Sequence, residues 1–231
     1  MNYEQMNNNK VFLQGVVESE PVFSHSVYGE GFYEVNLSVS RLSEHFDIIP
    51  ITVSERLLAD DNFKVGKKIA IRGQFRSYNK IVGEKSKLML TVFVRELAEA
   101  DENKNPNTIE LTGYVCKTPI YRTTPFKREI GDILLAVNRA YNKSDYLPCI
   151  AWGRNARFIK NIEVGERVSI FGRIQSREYQ KKLEDGTLET RIAYEVSISK
   201  IMLEKEKEED VSQAFMIDNM RMDNFYATGE V

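Results

Sequence analysis

The chain has 231 residues, 42% of them apolar and 29% charged, with a formal net charge of −2. This composition is typical of one large or two small globular domains. It offers no stretch of roughly 18 apolar residues to span a membrane, no signal-peptide core and only two cysteines, which predicts a reduced, cytoplasmic protein without a membrane contact. Taken as a total, the charge also argues against a nucleic-acid-binding protein, a class that is usually basic.

The chain contains an internal repeat. Residues 9–56 align with residues 107–154 at a shift of 98, and after one inserted residue 65–77 align with 164–176. The repeat predicts two copies of one domain, at 9–97 and 107–203. A polar linker at 98–106 joins them, and an acidic and apolar tail at 204–231 follows.

Each copy is predicted to be mostly β-strand, because apolar and polar residues alternate with a period of two. In the first copy, a short helix at 55–62 separates the third strand from the fourth, and a helix at 154–161 stands at the same place in the second copy. The predicted strands of the first copy cover 10–17, 33–39, 49–53, 66–78 and 88–97, and the second copy opens with a strand at 108–115.

Five strands and one helix in fewer than 100 residues favour a small Greek-key barrel, of which the OB-fold is the commonest. The predicted fold class is therefore all-β, with two tandem five-stranded OB-folds, each with one short helix. A flexible acidic tail is expected to follow them.

In the second copy, alternation also predicts which side chains point outward. Leu147, Cys149 and Ala151 are assigned to the core. The outward residues of the third and fourth strands mix aromatic rings with arginines, which suits stacking on bases and neutralisation of phosphates. These residues include Tyr146, Trp152, Phe171, Arg173, Arg177 and Tyr179. The same rings could instead pack beneath a loop or in a subunit interface, and the arginines could form a solvated face.

Nothing in the sequence suggests catalysis. The only cysteines, Cys116 and Cys149, have no histidine near them in their own copy. His25 and His45 lack further ligands for a metal, since zinc requires three or four. Phosphate-loop and nucleophile-elbow motifs are absent. We therefore expect no enzyme activity, no cofactor and no metal.

Motifs of the second copy resemble those of the bacterial single-stranded DNA-binding proteins. The similar stretches are "LTGYVCKTPIYRTTP" (111–125), "LLAVNRAYNKSDYLPCIAWGRNARF" (134–158) and "VGERVSIFGRIQSREYQ" (164–180). They follow one another in the order of that family. The first copy resembles the family less and is connected to it mainly by the repeat. Because the family includes dimers with two OB-folds per chain, the resemblance implies a homodimer with four barrels.

The resemblance also implies the binding residues. The stacking aromatics would be Tyr146, Trp152, Tyr179 and, with a less certain alignment, Tyr141; the outward pattern adds Phe171 and Tyr78. The phosphate contacts would be Arg139, Arg154, Arg173 and Arg177, with Lys181 and Lys182 as weaker candidates and Arg72 and Arg76 in the first copy.

Two features depart from the family. Ile48 and Ser54 stand where the second copy has Tyr146 and Trp152, so the first copy is expected to bind weakly or to serve in assembly. The chain ends in "NFYATGEV" rather than in an acidic peptide closing with Pro-Phe. Recruitment of replication or repair proteins through the tail is therefore a weaker expectation.

The sequence thus predicts binding and protection of single-stranded DNA in replication, repair or recombination. The alternatives are an OB-fold adaptor between proteins, as in a primosome, and a barrel that binds single-stranded RNA.

The distribution of charge along the chain agrees with DNA binding better than the net charge of −2 suggests. Residues 107–200 carry 16 basic and 11 acidic side chains, whereas residues 201–231 carry 3 and 8. Such a tail can compete with DNA for the basic barrel, or simply keep the protein soluble.

Overall fold

The computed structural model describes residues 7–41, 43–58, 61–82, 85–101, 105–183 and 186–204. The tail predicted at 204–231 lies outside these residues, apart from Glu204, and so do residues 102–104 of the predicted linker. Strands make up most of the rest. No helix among the described residues is long and apolar enough to cross a bilayer.

The first half of the chain folds into a closed barrel. Its elements are β1 (Asn9–Val17), β2 (Val22–Val27), β3 (Glu30–Ser40), β4 (Phe46–Ser54), α1 (Glu55–Leu58), β5 (Lys68–Val82) and β6 (Lys85–Ala98). β3 pairs with β4, β4 runs parallel to β6, β6 pairs with β5, and β5 and β3 both pair with β1. This order closes five strands into the Greek-key barrel of the OB-fold.

The second half repeats the same pairing. Its elements are β7 (Asn107–Val115), β8 (Ile120–Thr123), β9 (Glu129–Arg139), β10 (Lys143–Trp152), α2 (Arg154–Ile159), β11 (Arg167–Lys182) and β12 (Leu188–Leu203). Here β10 and β12 form the parallel pair, and β7 closes the barrel against β9 and β11. The expected all-β fold with two tandem OB-folds is confirmed.

The buried residues of each strand follow the alternation of apolar and polar residues in the sequence. Ile49, Ile51 and Val53 are fully buried in the first barrel, as are Leu147 and Ala151 in the second. The repeated Gly15 and Gly113 have a packing reason: a side chain at either position would collide with a carbonyl oxygen, that of Ser38 or Ala136. Only glycine allows the opening strand to approach its neighbour this closely.

Some predicted boundaries were wrong. The helices are shorter than expected, because residues 61–62 are not helical and α2 ends at Ile159, and the hairpin strands are longer. Two short strands, β2 and β8, were not predicted. Both pair with one edge of a long strand and are largely exposed, so neither shows the alternation on which the prediction relied.

The two barrels are joined along one seam, formed by antiparallel pairing of β1 with β7. Asn9 lies opposite Leu111, Val11 opposite Ile109 and Leu13 opposite Asn107. The pairing merges both barrels into one twelve-stranded sheet. Neither barrel therefore has a free opening strand.

A buried carboxylate from each barrel crosses the seam. Asp47, 1% exposed, accepts a hydrogen bond of 2.7 Å from the backbone N–H of Ser176 in the second barrel. Asp145 accepts one of 2.8 Å from the N–H of Ser77 in the first. These contacts are equivalent by the repeat, so the seam has approximate two-fold symmetry.

We expect Asp47→Ala to lower the free energy of unfolding by about 3 kcal/mol, because it leaves the Ser176 N–H and two nearby guanidinium groups without their acceptor. Urea denaturation at pH 7 measures the loss. Glu96→Ala is the matched control, since Glu96 is half exposed and forms a 3.4 Å surface ion pair with Arg72, worth about 1 kcal/mol at most. Equal losses in both variants would contradict a role for the seam carboxylate.

Candidate nucleic-acid interface

Two of the predicted stacking residues lie on β10, on the outward side. Trp152 is 43% exposed at the end of the strand, opposite Ile130 of β9. Tyr146 is half-buried six residues earlier, so about 20 Å separates the two positions along the strand. Tyr146 packs against Cys116, Leu134 and Ala136 on the outer surface of the barrel.

The loop between β9 and β10 presents a third ring. Tyr141 is 83% exposed and has a φ of 64°, and Asn142 beside it has a φ of 54°. These left-handed positions turn the chain sharply between the two strands and direct Tyr141 away from the barrel. Tyr141, Tyr146 and Trp152 therefore belong to one region, built on β10 and the loop before it.

The long β11–β12 hairpin carries a second group. Arg177 is about half exposed, lies 5.9 Å from the ring centre of Tyr179, and forms a 3.5 Å ion pair with Glu195. Lys181 and Lys182 follow on the same strand, opposite Glu189 and Leu188 of β12. Arg154, at the start of α2 directly after Trp152 and Gly153, is exposed and makes no ion pair in the described part of the chain.

Phe171 and Arg173 lie elsewhere, on the part of β11 nearest the seam. Phe171 is opposite Glu110 of β7, at a register shift in the β11–β12 ladder. Arg173 forms a 3.2 Å ion pair with the buried Asp47 of the first barrel. Burial lowers the pKa of its guanidinium, and Asp47 opposes that effect.

Arg139 is also held at the seam. It lies 3.5 Å from the carboxylate of Asp145, with 29% of its side chain exposed. Burial raises the pKa of Asp145, while the Ser77 N–H and Arg139 lower it. Two of the eight predicted phosphate contacts thus already have carboxylate partners between the barrels.

In the first barrel, the described residues Ser54 and Tyr78 bind carboxylates. Ser54, at the place of Trp152, donates a short hydrogen bond to Glu30, which also binds Arg56 at 2.6 Å. Tyr78 donates to Glu34 over 3.0 Å, and burial together with that carboxylate raises its pKa to about 12. A carboxylate therefore binds the counterpart of Trp152, and another binds Tyr78, the one stacking candidate of the first barrel.

The remaining predicted cations of the first barrel lie on β5. Arg72 forms an exposed ion pair with Glu96, and the guanidinium of Arg76 lies 3.9 Å from the ring centre of Phe93. Sequence reasoning missed Phe93 and its neighbour Arg95. Both lie on β6, where the alternation that was used for the second copy would have placed them outward.

Neither cysteine is placed to act as a nucleophile. Both thiols are buried, and burial raises the pKa of Cys116 to about 12 and also raises that of Cys149. Since the thiolate is the nucleophilic form, neither cysteine is activated. No group of three or more histidine, cysteine or acidic residues that could hold a metal ion occurs within the described ranges.

The fold and this surface define a tandem OB-fold protein with an aromatic and basic face on its second barrel. The structure of the wild-type single-stranded DNA binding protein from Thermus aquaticus has the same fold, with a TM-score of 0.65 at 18% identity. That match covers 86% of this chain and 94% of the Thermus chain.

The sequence of the second barrel also resembles a known family. Residues 106–203, which make up the second barrel, match the Single-strand binding protein family. The resemblance seen in the sequence motifs is thereby confirmed.

Individual relatives cover a smaller region. Single-stranded DNA-binding protein 1 of Staphylococcus aureus is 32% identical over 83 residues, which are 33% of this chain and 50% of the relative. A single-stranded DNA-binding protein of Clostridium tetani is 34% identical over 88 residues, or 35% of this chain and 59% of the relative. The chain thus spans about half the length of the curated relatives it matches.

Proposed function

We propose that this protein binds and protects single-stranded DNA with little preference for sequence, during replication, repair or recombination. It does so without catalysis, and in the cytoplasm. The observation that carries the proposal is Trp152, a large ring left 43% exposed on the outer side of a barrel that matches this family. Near this exposed tryptophan is Arg154, which forms no ion pair among the described residues. This combination is suited to stack on a base whose phosphate is neutralised beside it.

The proposed site has two parts on the second barrel. Tyr141, Tyr146 and Trp152 offer rings along β10, and Arg154 offers a charge at its end. The hairpin adds Tyr179 with Arg177, Lys181 and Lys182. We give Arg139, Arg173 and Phe171 a secondary place, because they lie at the seam, where the two arginines pair with Asp145 and Asp47.

Titration with oligo-dT should quench the fluorescence of Trp152, the only tryptophan in the chain. Stacking brings the indole into contact with a base, and phosphate contacts make the affinity fall as salt rises. The measurement is emission at increasing oligonucleotide concentration, repeated at two salt concentrations. The absence of both quenching and salt-sensitive binding would refute the proposal. Stronger binding to oligo-U than to oligo-dT would favour the RNA alternative.

Trp152→Ala and Tyr179→Ala should each weaken binding by about 1–3 kcal/mol if the ring stacks on a base. Ser54→Ala, the matching change in the first barrel, should have little effect. Anisotropy of a labelled oligo-dT reports all three affinities, including that of the variant without tryptophan. A loss as large for Ser54→Ala would contradict the assignment of the stacking surface to the second barrel.

We further propose that the chain forms a homodimer with four barrels, which is what the resemblance to two-barrel members of the family supports. Light scattering should give about twice the chain mass of 26.7 kDa, with or without oligo-dT. A monomeric mass that doubles only when DNA is added would instead mean that the strand bridges two chains. Partner proteins that bind the tail at 204–231 remain part of this proposal.

A further inference from the structure

Two arginines on the outer face of the first barrel share a single neutral acceptor. The Nη2 atoms of Arg76 and Arg95 lie 2.9 Å and 3.1 Å from the same Oε1 atom of Gln74. Two guanidinium groups that converge on one oxygen form the arrangement in which arginines bind phosphate or carboxylate. We call Arg76, Arg95 and Gln74 the arginine cluster.

The ring of Phe93 supports this cluster. Its centre lies 3.9 Å from the guanidinium of Arg76 and 5.7 Å from that of Arg95. Because Arg76 covers the ring, Phe93 positions a charge and does not offer a surface for a base.

The surroundings of Arg76 destabilise its charged form. Burial, together with the positive charges of Arg139 and Arg95, lowers its pKa to about 10, while Asp145 opposes the shift. Its Nε atom is buried and makes no hydrogen bond within the described part of the chain. An anion bound at the cluster would offset both the desolvation and the repulsion between like charges.

The nearby carboxylates are already occupied by other groups. Asp145 accepts from the Ser77 N–H and pairs with Arg139. Glu96 pairs with Arg72, and Glu34 accepts from Ser24 and Tyr78. Among the residues that the structure describes, neither Arg76 nor Arg95 forms an ion pair, so the cluster has charge available for a ligand.

The cluster lies directly beside the proposed DNA site of the second barrel. Ser77, the residue after Arg76, accepts a 2.8 Å hydrogen bond from the backbone N–H of Tyr146. The strand that carries Arg76 therefore touches the strand that carries a proposed stacking residue. Arg139, from the second barrel, is close enough to shift the pKa of Arg76.

We propose that the arginine cluster binds a phosphate of the same DNA strand that occupies the second barrel, so that the strand continues across the seam onto the first barrel. This inference rests on the proposed function. It gives the first barrel a part in binding through charge, although Ile48 and Ser54 stand where the second barrel has Tyr146 and Trp152. The phosphate would take the place of the Gln74 oxygen between the two guanidinium groups.

The test compares Arg95→Glu with Lys64→Glu in the full chain. Both changes alter the net charge equally on exposed side chains of the first barrel, but Lys64 pairs with Asp61 in the loop before β5. The probes are oligo-dT of about 8 nucleotides, which one OB-fold can hold, and of about 30. Arg95→Glu should weaken binding of the longer probe about tenfold and that of the shorter one less than about twofold. It should also reduce the slope of log affinity against log salt by about 0.7 for each phosphate that the variant no longer neutralises.

Arg76→Gln is a second variant, which removes the buried charge and keeps a polar side chain. The thermal midpoint of each variant shows that it has folded. If neither variant changes the affinity or the salt slope for the longer probe, while Trp152 is still quenched, the inference is wrong and the proposed function stands. If the variants instead abolish binding of an acidic peptide with the sequence of residues 204–210 and leave DNA binding unaltered, the ligand is a peptide and the inference is also wrong. Absence of both quenching and salt-sensitive binding in the unaltered protein would refute the proposed function itself.

Discussion

The antiparallel pairing of β1 with β7 is the constraint on which the rest of the structure depends. Each barrel is closed by its opening strand, β1 or β7. Pairing these two strands edge to edge also satisfies backbone hydrogen-bonding groups on the second edge of each strand. The barrels are therefore held at one fixed register. That register brings Asp47 to Ser176 and Asp145 to Ser77, over more than a hundred residues in the first case.

A buried carboxylate at the seam determines what the nearby arginines can do. Arg41 and Arg173 converge on Asp47, at distances of 2.6 Å and 3.2 Å. A guanidinium that already has such a partner must leave it before it can bind a phosphate, so the net gain from DNA is small. Arg154, which has no such partner within the described ranges, can bind a phosphate without that cost. An outward arginine on a strand therefore supports a phosphate contact only weakly when a carboxylate lies beside it, and more strongly when none does.

This distinction also shows how far the sequence could go. Alternation along a strand correctly predicted the inward residues, such as Leu147 and Ala151, because that signal is local and has a period of two. The repeat predicted two barrels of one kind. The seam could not be predicted, because nothing in the sequence indicates that Asp47 and Ser176 are neighbours. Arg76 was predicted as a phosphate contact, but Arg95 was missed, because β6 was recognised as a strand while its outward residues were not considered.

The approximate two-fold symmetry of the seam also limits how the two barrels can diverge. Asn9 and Asn107 each bind both backbone groups of a β-strand residue, Phe75 and Ile174, with nearly identical distances. Such bonds fix the opening strand of each barrel against its long hairpin, so residues that make them cannot vary independently. The outer faces carry no such constraint.

The outer faces have in fact changed most. Trp152 has Ser54 as its counterpart, and Gln74 and Arg76 of one barrel correspond to Arg173 and Gln175 of the other, with the arginine and glutamine exchanged. In the second barrel this exchange directs the arginine to Asp47, where its charge is balanced. In the first barrel it directs the arginine onto Phe93, where no carboxylate of the described residues pairs with it. An exchange of two residues within a symmetric frame thus leaves one guanidinium structural and makes the other available to an anion.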